Sequence, residues 1–332
     1  TKDLLQTGVS IPSSTGYDGK GNTISYFNSG ELSNRGWEYR IDYDVYRDTD
    51  WRISLNFNVN RNINRIELLP ENLSESTYTL SNGSYAQKII AGMPVGSFFG
   101  FHYEGVYQNL EDTYAKDEDG RIMLDLQGEP IVMKNGTFTC YPGDAKYQDV
   151  NYDGLINEKD ILYLGNSMPV VTGGGGFNVK YKNLSLITFF HYRLGQKIIN
   201  KARMESEAMN GTDNQSKAVL KRWRNEGDDT IIPRALWKYG LNYMGSDRFV
   251  EDCSFLRLKT LSLSYNLPKD YCQRLRTNSI NFYVTAYDLF TWTNYTGQDP
   301  EVNLPTKITS LAMDNSQTPR SKRYSCGISV NF

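Results

Sequence analysis

The stretch Trp37-Glu-Tyr-Arg-Ile-Asp-Tyr-Asp-Val45 alternates bulky apolar side chains with charged ones. Every second residue of an extended strand points to the same side, so this stretch predicts a strand with one apolar and one polar face. A short polar turn, Arg47-Asp-Thr-Asp50, separates it from Ile53-Ser-Leu-Asn-Phe-Asn-Val-Asn60, which alternates in the same way. Two such strands joined by a tight turn predict a β-hairpin.

The same alternation recurs later in the chain, whereas residues 1–30 are predicted to be loop, with breakers at Ile11-Pro12 and Gly19-Lys-Gly21. Further strands are predicted at 92–105, 177–182, 184–192, 261–267, 280–292 and 324–332. Many of these strands have about ten residues or more, which is longer than the five or six typical of soluble sheets. The run Gly173–Gly176 lies before a strand and not before a helix, which favours a close backbone approach or strand bend over a phosphate cradle.

Composition excludes several classes of protein. The 332 residues carry a net charge of −2, which gives no electrostatic case for nucleic acid. Hydrophobic residues make up 39%, and no apolar window is long enough to predict a transmembrane helix. The four cysteines have no metal-ligand spacing, and Cys326 lies at an apolar-face position that predicts packing in a core.

A polar face on every strand leaves two architectures open. One is a large membrane barrel with a wet interior and an apolar outside, and the other is a soluble β-sandwich with one wet face per sheet. Four aromatic residues near predicted strand ends suit the interface girdles of a barrel: Trp37, Trp51, Trp292 and Tyr295. The connections alternate between very short, as at Lys182-Asn183, and very long, as at 196–248 and 294–322. A short helix is predicted at Ser216–Arg224, with Ser216 as its N-cap.

Residues 149–160 have the spacing of a calcium-binding loop. Oxygen-bearing side chains fall at positions 1, 3, 5, 9 and 12, and Gly154 at position 6 permits a sharp turn. The predicted side-chain ligands are Asp149, Asn151, Asp153, Asn157 and Asp160, with Leu155 contributing its backbone carbonyl. The flanking residues predict turn and strand, so an EF-hand is not expected, and any ion would be structural. The alternative is an Asn/Asp-rich turn that binds nothing.

An enzyme is not expected. Paired carboxylates occur at Asp228-Asp229 and at Asp299 with Glu301, but in loops such pairs are more often solvated or ion-binding. The two histidines, His102 and His191, are isolated in predicted strands, and no nucleophile–base arrangement has supporting context.

Several motifs in order resemble the SusC/RagA-type TonB-dependent transporters. They are Asn34-Arg-Gly-Trp-Glu38, Pro142–Asn157 with its Pro-Gly-Asp start, Gly176–Lys182, Phe249–Lys259, Leu263–Pro268, Phe282–Thr291, Gly297-Gln-Asp-Pro-Glu301 and a terminal Phe332. The likeness spans about residues 1–332, and it implies an all-β chain that forms about 8–10 antiparallel strands of a transmembrane barrel with about 22 strands. The family's N-terminal plug, TonB-box region and first barrel strands have no counterpart in these residues.

The resemblance also implies location, orientation and partners. It implies the outer membrane of a Gram-negative, Bacteroides-type bacterium, import of oligosaccharides or oligopeptides, a SusD-like surface lipoprotein as partner and the TonB complex acting through the plug. Phe332 would lie at the periplasmic rim, which makes 196–248, 294–322 and the 149–160 loop external and Lys182-Asn183 periplasmic. Eight strands would place the Arg47–Asp50 turn outside, so a ninth crossing is suspected within residues 62–148. The alternative function is a surface binding or adhesion protein without transport.

Overall fold

The fold is given by a computed structural model, which describes residues 30–68, 80–86, 90–301 and 312–332 and the backbone of four two-residue strands before them. Ile11-Pro12 and Gly19-Lys-Gly21, the predicted breakers of the first loop, lie outside the described residues. In the described part of the chain, no helix is both long and apolar enough to cross a membrane.

The described elements are almost all strands. In chain order they are β1 (Leu5–Gln6), β2 (Val9–Ser10), β3 (Thr23–Ile24), β4 (Phe27–Asn28), β5 (Glu31–Arg47), β6 (Trp51–Leu68), β7 (Ser97–Gly100), β8 (Tyr103–Val106), β9 (Lys134–Asn135), β10 (Phe138–Thr139), β11 (Ala145–Tyr147), β12 (Leu155–Ile156), β13 (Leu162–Asn166), β14 (Val171–Tyr181), β15 (Leu184–Leu194), β16 (Lys197–Ile199), β17 (Val250–Asp252), β18 (Phe255–Asn266), β19 (Ser279–Thr293) and β20 (Arg323–Asn331). Two short α-helices, α1 (Lys201–Ser206) and α2 (Lys269–Arg274), and short 3₁₀ helices interrupt the connections.

Seven long strands form one antiparallel sheet in the order β20–β19–β18–β15–β14–β6–β5. In its first hairpin, Tyr39 pairs with Val59 and Ile41 pairs with Phe57, so these apolar side chains share one face. That face stays open, with Tyr39 63% exposed and Ile41 58% exposed. The predicted alternation is confirmed, and the apolar face of the sheet is a surface and not a core.

Glycines allow β14 to lie very close to both neighbouring strands. A Cβ on Gly176 would lie 1.9 Å from the carbonyl oxygen of Thr188, and one on Gly173 would lie 2.2 Å from that of Asn58. The Thr188 hydroxyl accepts a hydrogen bond from the N–H of Phe177 at 3.0 Å, which adds a side-chain contact to the ladder. The predicted close approach of this run is confirmed.

The ends of the strands form two rims, which we call the edges of the sheet. All short connections of the sheet lie at one of these edges. The N–H of Lys182 donates to the carbonyl of Asp50 at 2.7 Å, which ties the β14–β15 turn to the β5–β6 turn. The N–H of Asn278, before β19, donates to the carbonyl of Asn331, at the end of β20, at 2.7 Å. The long connections therefore leave from the opposite edge.

Among the described residues of 62–148 the suspected ninth crossing is not found, and the predicted strand at 92–105 does not belong to this sheet. β6 pairs directly with β14, which leaves no room for a strand between them. β7 pairs with β13 and β8 pairs with β11, both outside the sheet. The described sheet has seven strands, which corrects the predicted count of about 8–10. Seven strands also place the Arg47–Asp50 turn at the same edge as the other short turns, so no extra crossing is needed.

The long connections fold into a lobe beyond the other edge of the sheet, and this lobe holds the apolar core of the chain. One cluster of buried side chains includes Phe98, Ile199, Phe249 and Tyr295, which come from three different connections. A second cluster includes Phe101, Tyr147, Ile156 and Met244. The apolar sequence around β7 predicts a strand because β7 is a buried strand of the lobe. It is not a strand of the large sheet.

Two of the four aromatic residues predicted near strand ends, Trp51 and Trp292, do lie at strand ends. Trp51 begins β6 and packs against Tyr181 with ring centroids 4.4 Å apart, at the edge with the short turns. Trp292 lies near the other end of β19, whereas Trp37 is the seventh residue of β5 and pairs with Arg61. The prediction for Tyr295 is wrong.

Tyr295 is only 6% exposed, because it follows β19 into the lobe and packs in the first apolar cluster. Its hydroxyl donates to the carboxylate of Asp314 at 2.5 Å. The core-packing prediction for Cys326 is also wrong. Cys326 is exposed, because the apolar side of β20 belongs to the open face of the sheet.

The helix predicted at Ser216–Arg224 exists in a shorter and tighter form. Residues Lys217–Lys221 form a 3₁₀ helix, and the side chain of Ser216 accepts a hydrogen bond from the N–H of Ala218. The predicted N-cap is therefore confirmed. The two short α-helices were not predicted.

We expect Gly176→Val to disrupt the β14–β15 ladder, because the new side chain would overlap the Thr188 carbonyl. The expected cost is about 1–3 kcal/mol or more, as for other overpacked sites. Gly211→Val is the matched control, since the nearest atom to its new Cβ would be 3.8 Å away. Heat-modifiable gel migration of the purified full-length protein measures the effect, and equal loss in both variants would contradict the close-approach argument.

Candidate functional site

The loop at residues 149–160 is held in shape by its own side chains. Asp149 Oδ2 accepts a hydrogen bond from the N–H of Gly154 at 2.7 Å, and Asp153 Oδ1 accepts one from the N–H of Leu155 at 2.9 Å. Gly154 has φ of +77°, which the absence of a Cβ makes easy. The predicted sharp turn is therefore present.

The second half of the loop ends in a capping box. The side chain of Asn157 accepts from the N–H of Lys159, and Asp160 Oδ2 accepts from the N–H of Asn157 at 2.8 Å. Asp160 is fully buried, and its Oδ1 accepts from the N–H of Val150 at 2.9 Å. Burial raises the pKa of the Asp160 carboxyl, although the two backbone donors oppose the shift.

The predicted calcium ligands lie in the same turn, and all of them offer oxygen. Asn151 Nδ2 donates to Asp153 Oδ2 at 2.8 Å, and Asn157 Nδ2 donates to the Leu155 carbonyl at 3.2 Å. Each carboxylate or carbonyl oxygen that accepts one of these hydrogen bonds still has a second lone pair. Oxygen ligands of these types are the ones that calcium binds. Across the described residues, no group of three or more His, Cys, Asp or Glu is placed to hold a metal. The calcium site stays a prediction, and the hydrogen bonds alone account for the shape of the loop.

If the loop binds calcium, Asp153→Asn should weaken or abolish the binding heat in a calorimetric titration of the full-length protein. The reason is that the substitution removes one of the charged oxygens at the turn. The control is Asp125→Asn, because Asp125 Oδ1 accepts the N–H groups of Gln127 and Glu129 in a similar turn. Binding heat that is absent from the parent protein, or unchanged in Asp153→Asn, would rule out the calcium site.

A buried cluster of charges lies on the polar face of the sheet, where the 294–322 connection meets β18 and β19. Arg257 in β18 is only 2% exposed, and its Nη2 lies 2.5 Å from Asp299 Oδ1. Its Nη1 lies 3.0 Å from Glu301 Oε2. Both acids come from the Gly297–Glu301 segment, so one arginine of the sheet holds this segment by two carboxylates.

Register shifts in the sheet add two more charges to the cluster. The pairing of β18 with β19 shifts between Leu258 and Thr260, which frees Lys259 and Asp288 from the ladder. Lys259 Nζ lies 3.1 Å from Asp288 Oδ1 and 3.2 Å from Glu301 Oε2. Bulges of this kind re-aim side chains, and here they aim both charges toward the loop.

The end of the same connection also reaches the cluster. Arg320 Nε lies 3.1 Å from Glu301 Oε2. The backbone N–H of Arg320 donates to Asp299 Oδ2 at 3.1 Å. Burial alone would raise the pKa of the Asp299 carboxyl, but the N–H of Glu301, the Arg257 guanidinium and the N–H of Arg320 outweigh it and lower the pKa. The cluster therefore fastens both ends of the 294–322 connection to the sheet.

The sequence-based interpretation of these acids was incomplete. Asp299 and Glu301 are neither solvated nor free for an ion, because protein cations surround them. Arg257 and Lys259 were not singled out. The available signal was a pair of basic residues at alternate positions of a strand whose polar face otherwise carries serine, threonine and asparagine.

We expect Asp299→Asn to loosen the 294–322 connection, because it leaves the buried Arg257 with one fewer charge partner. Breaking a buried pair in this way costs about 3–5 kcal/mol. The control is Asp228→Asn, whose exposed carboxylate accepts the N–H groups of Arg224 and Asn225. Hydrogen exchange of the full-length protein should show faster exchange in residues 294–301 and 312–322 for Asp299→Asn only.

The lowered pKa of Asp299 gives the same test a pH dependence. A lowered pKa contributes stability above the ordinary aspartate value, and this stability is lost as the pH falls through the folded-state value. Protection of the connection should therefore be full near neutral pH and should fall in acid. Protection that rises as the pH falls would contradict this assignment.

The two histidines have separate structural contacts. His102 Nδ1 contacts the carboxylate of Asp247 in the lobe. The ring of His191 packs edge-on against Phe255, with centroids 5.6 Å apart. Asp228 serves as a turn acceptor. These contacts explain the candidate residues without a catalytic arrangement.

The curated proteins that resemble this chain are TonB-dependent receptors. No protein-family model matches the chain. TonB-dependent receptor P3 of Formosa agariphila is 27% identical over 314 residues, which cover 92% of this chain and 29% of that protein. TonB-dependent receptor P26 of the same organism is 29% identical over 311 residues, 91% of this chain and 28% of that protein. The chain thus spans about a third of the length of the curated relatives it matches.

Two further comparisons concern another relative and the fold. TonB-dependent receptor SusC of Bacteroides thetaiotaomicron is 25% identical over 344 residues, which cover all of this chain and 29% of that protein. A solved structure of the RagAB peptide transporter superposes with a TM-score of 0.70 at 24% identity, over all of this chain and 32% of the other. The resemblance to SusC/RagA-type TonB-dependent receptors is confirmed, and the fold is that of part of such a barrel. The matched proteins are receptors and transporters, which agrees with the prediction that the chain is not an enzyme.

Proposed function

We propose that this chain forms part of the barrel wall and the external lobe of an outer-membrane transporter that imports nutrients with energy from TonB. The observation that carries the proposal is the two-faced sheet: seven paired strands whose apolar face is open and whose other face is polar. In water such a face would be a liability, whereas in lipid it is the stable arrangement for a barrel wall.

The dimensions of the first hairpin suit a membrane. From Trp51 to Arg61, β6 advances ten residues, or about 34 Å along the strand. At a strand tilt of about 35–45° this corresponds to a height of about 24–28 Å, close to the roughly 25 Å apolar band of outer-membrane barrels. The aromatic residues Trp51 and Trp37 would mark its two boundaries.

The orientation follows from the two edges of the sheet. Outer-membrane barrels have short periplasmic turns and long external loops. The edge that carries the β5–β6 and β14–β15 turns is therefore assigned to the periplasm. The lobe, with the loop 149–160 and the charge cluster that fastens 294–322, is assigned to the outside.

The cargo is proposed to be oligosaccharides or oligopeptides, and the partner a SusD-like surface lipoprotein. The SusC match and the peptide transport of RagAB support these assignments by analogy. The lobe offers a surface for such a partner, because it exposes four large apolar side chains. They are Leu220 (66% exposed), Ile231 (63%), Trp237 (60%) and Tyr239 (57%). TonB would act through a plug domain elsewhere in the barrel.

Uptake measurements separate import from the alternative, a surface binding protein. Cells carrying the natural gene should accumulate one class of labelled oligosaccharide or oligopeptide, and collapse of the proton motive force should stop accumulation while surface binding persists. A variant lacking residues 212–240 should lose uptake but keep heat-modifiable migration. Binding without any energy-dependent accumulation of either class would favour adhesion and overturn the proposal.

A further inference from the structure

Three arginines lie together on the outward face of the β5–β6 hairpin, directly past its apolar ladder. The ladder includes the pairs Tyr43–Leu55, Ile41–Phe57 and Tyr39–Val59. The next outward pair is Trp37 with Arg61, followed by Arg35 with Ile63 and Ser33 with Arg65. Paired residues of an antiparallel ladder point to the same side, so Arg61, Arg35 and Arg65 share the face of the apolar residues.

These arginines are exposed and largely unpaired. Arg65 Nε lies 3.9 Å from Glu67 Oε2, at the limit of an ion pair. The other oxygen of this carboxylate, Oε1, accepts a hydrogen bond from the hydroxyl of Ser33. Among the described residues, no carboxylate lies within ion-pair distance of Arg35 or Arg61. The hairpin extends past β14, whose pairing with β6 ends at Asn60, so this level of the face projects beyond the neighbouring strand.

The opposite face of the same strand segment carries no such charge. Its residues at these levels on β6 are Asn60, Asn62 and Asn64, and Asn64 is buried with its side-chain oxygen accepting the N–H of Val95 at 2.7 Å. At the levels just beyond Trp37, the positive charge of the hairpin therefore lies on the outward side. Neutral asparagine occupies the same levels of β6 on the opposite face. Solubility alone would therefore not require arginine on the outward face.

We propose that Arg35, Arg61 and Arg65 form a binding site for the phosphate groups of a lipid headgroup in the outer leaflet. This inference rests on the proposed membrane placement, which puts Trp37 at the external boundary of the apolar band. Arginine binds phosphate through two parallel N–H bonds, and the lipid acyl chains would lie against the ladder from Tyr39 downward. Residues on two paired strands hold the three guanidinium groups on one rigid surface.

The test measures binding of bis-phosphorylated lipid A to the purified full-length protein in detergent. The triple variant Arg35→Gln, Arg61→Gln, Arg65→Gln should bind about a hundredfold more weakly, at about fivefold for each basic residue near an anionic surface. Lipid A without phosphates should bind weakly to the parent protein. The triple Arg→Lys variant should bind more tightly than the triple Gln variant but more weakly than the parent protein, because it retains the charge and loses the paired N–H bonds.

Arg40→Gln is the matched control, because Arg40 lies on the same strand but faces inward and pairs with Asp42 at 2.8 Å. Its affinity should stay within about twofold, as expected for an exposed pair on the other face. Heat-modifiable migration checks folding, and single Arg35→Gln and Arg61→Gln variants replace the triple variant if it fails to fold. Unchanged affinity in these variants, or equal binding of phosphate-free lipid A, would overturn the site.

Uptake measured in the same variants keeps the two proposals apart. Normal uptake with arginine-independent lipid binding would overturn the lipid site and leave import standing. Arginine-dependent lipid binding in a protein that accumulates no cargo would overturn import and leave the lipid site standing.

Discussion

The constraint on which the structure depends is the pairing of seven strands in one register. Because paired residues share a face, the register that places Tyr39 opposite Val59 also places Arg40 opposite Asn58. A shift of one residue would exchange the two faces everywhere, so the pattern of side chains and the hydrogen-bond ladder must agree along the whole sheet. The open apolar surface, the polar inner face and the assignment of the two edges all follow from this agreement.

The lobe is organised by different forces. In the described part of the chain its buried apolar clusters contain no side chain of the seven-stranded sheet, and the sheet holds it by specific polar contacts. Arg257 joins the 294–301 segment to the polar face, whereas Asp149 and Asp160 stabilise their loop by accepting backbone N–H groups. Arg257 is paired with carboxylates from a distant part of the chain. Asp149 and Asp160 instead accept hydrogen bonds from N–H groups of their own turn. Sequence neighbours reveal only the second kind.

The sheet was predictable because period-two alternation is a local signal. The strands at 37–45, 53–59 and 324–332 were found from it, and the glycine run was interpreted correctly because no helix follows it. The stretch at 92–105 was misplaced, since a buried lobe strand and a barrel strand share composition. Tyr295 was misplaced because proximity to a strand end does not show which way the chain then turns. The partners of Asp299 could not be predicted, because Arg257 lies 42 residues away and meets it only through the fold.

The glycine run of β14 has a consequence for the shape of the wall. Four successive residues without side chains make the wall thin at this point on both faces. Aromatic rings of the neighbouring strands cover the outside, where Phe57 and Tyr192 stack with centroids 6.3 Å apart, and the ring of Phe189 lies against Gly174 on the other side. Glycine in a strand permits sharper coiling than a residue with a Cβ, and closing a sheet into a cylinder needs such places. The run therefore marks a place where this part of the sheet can coil sharply.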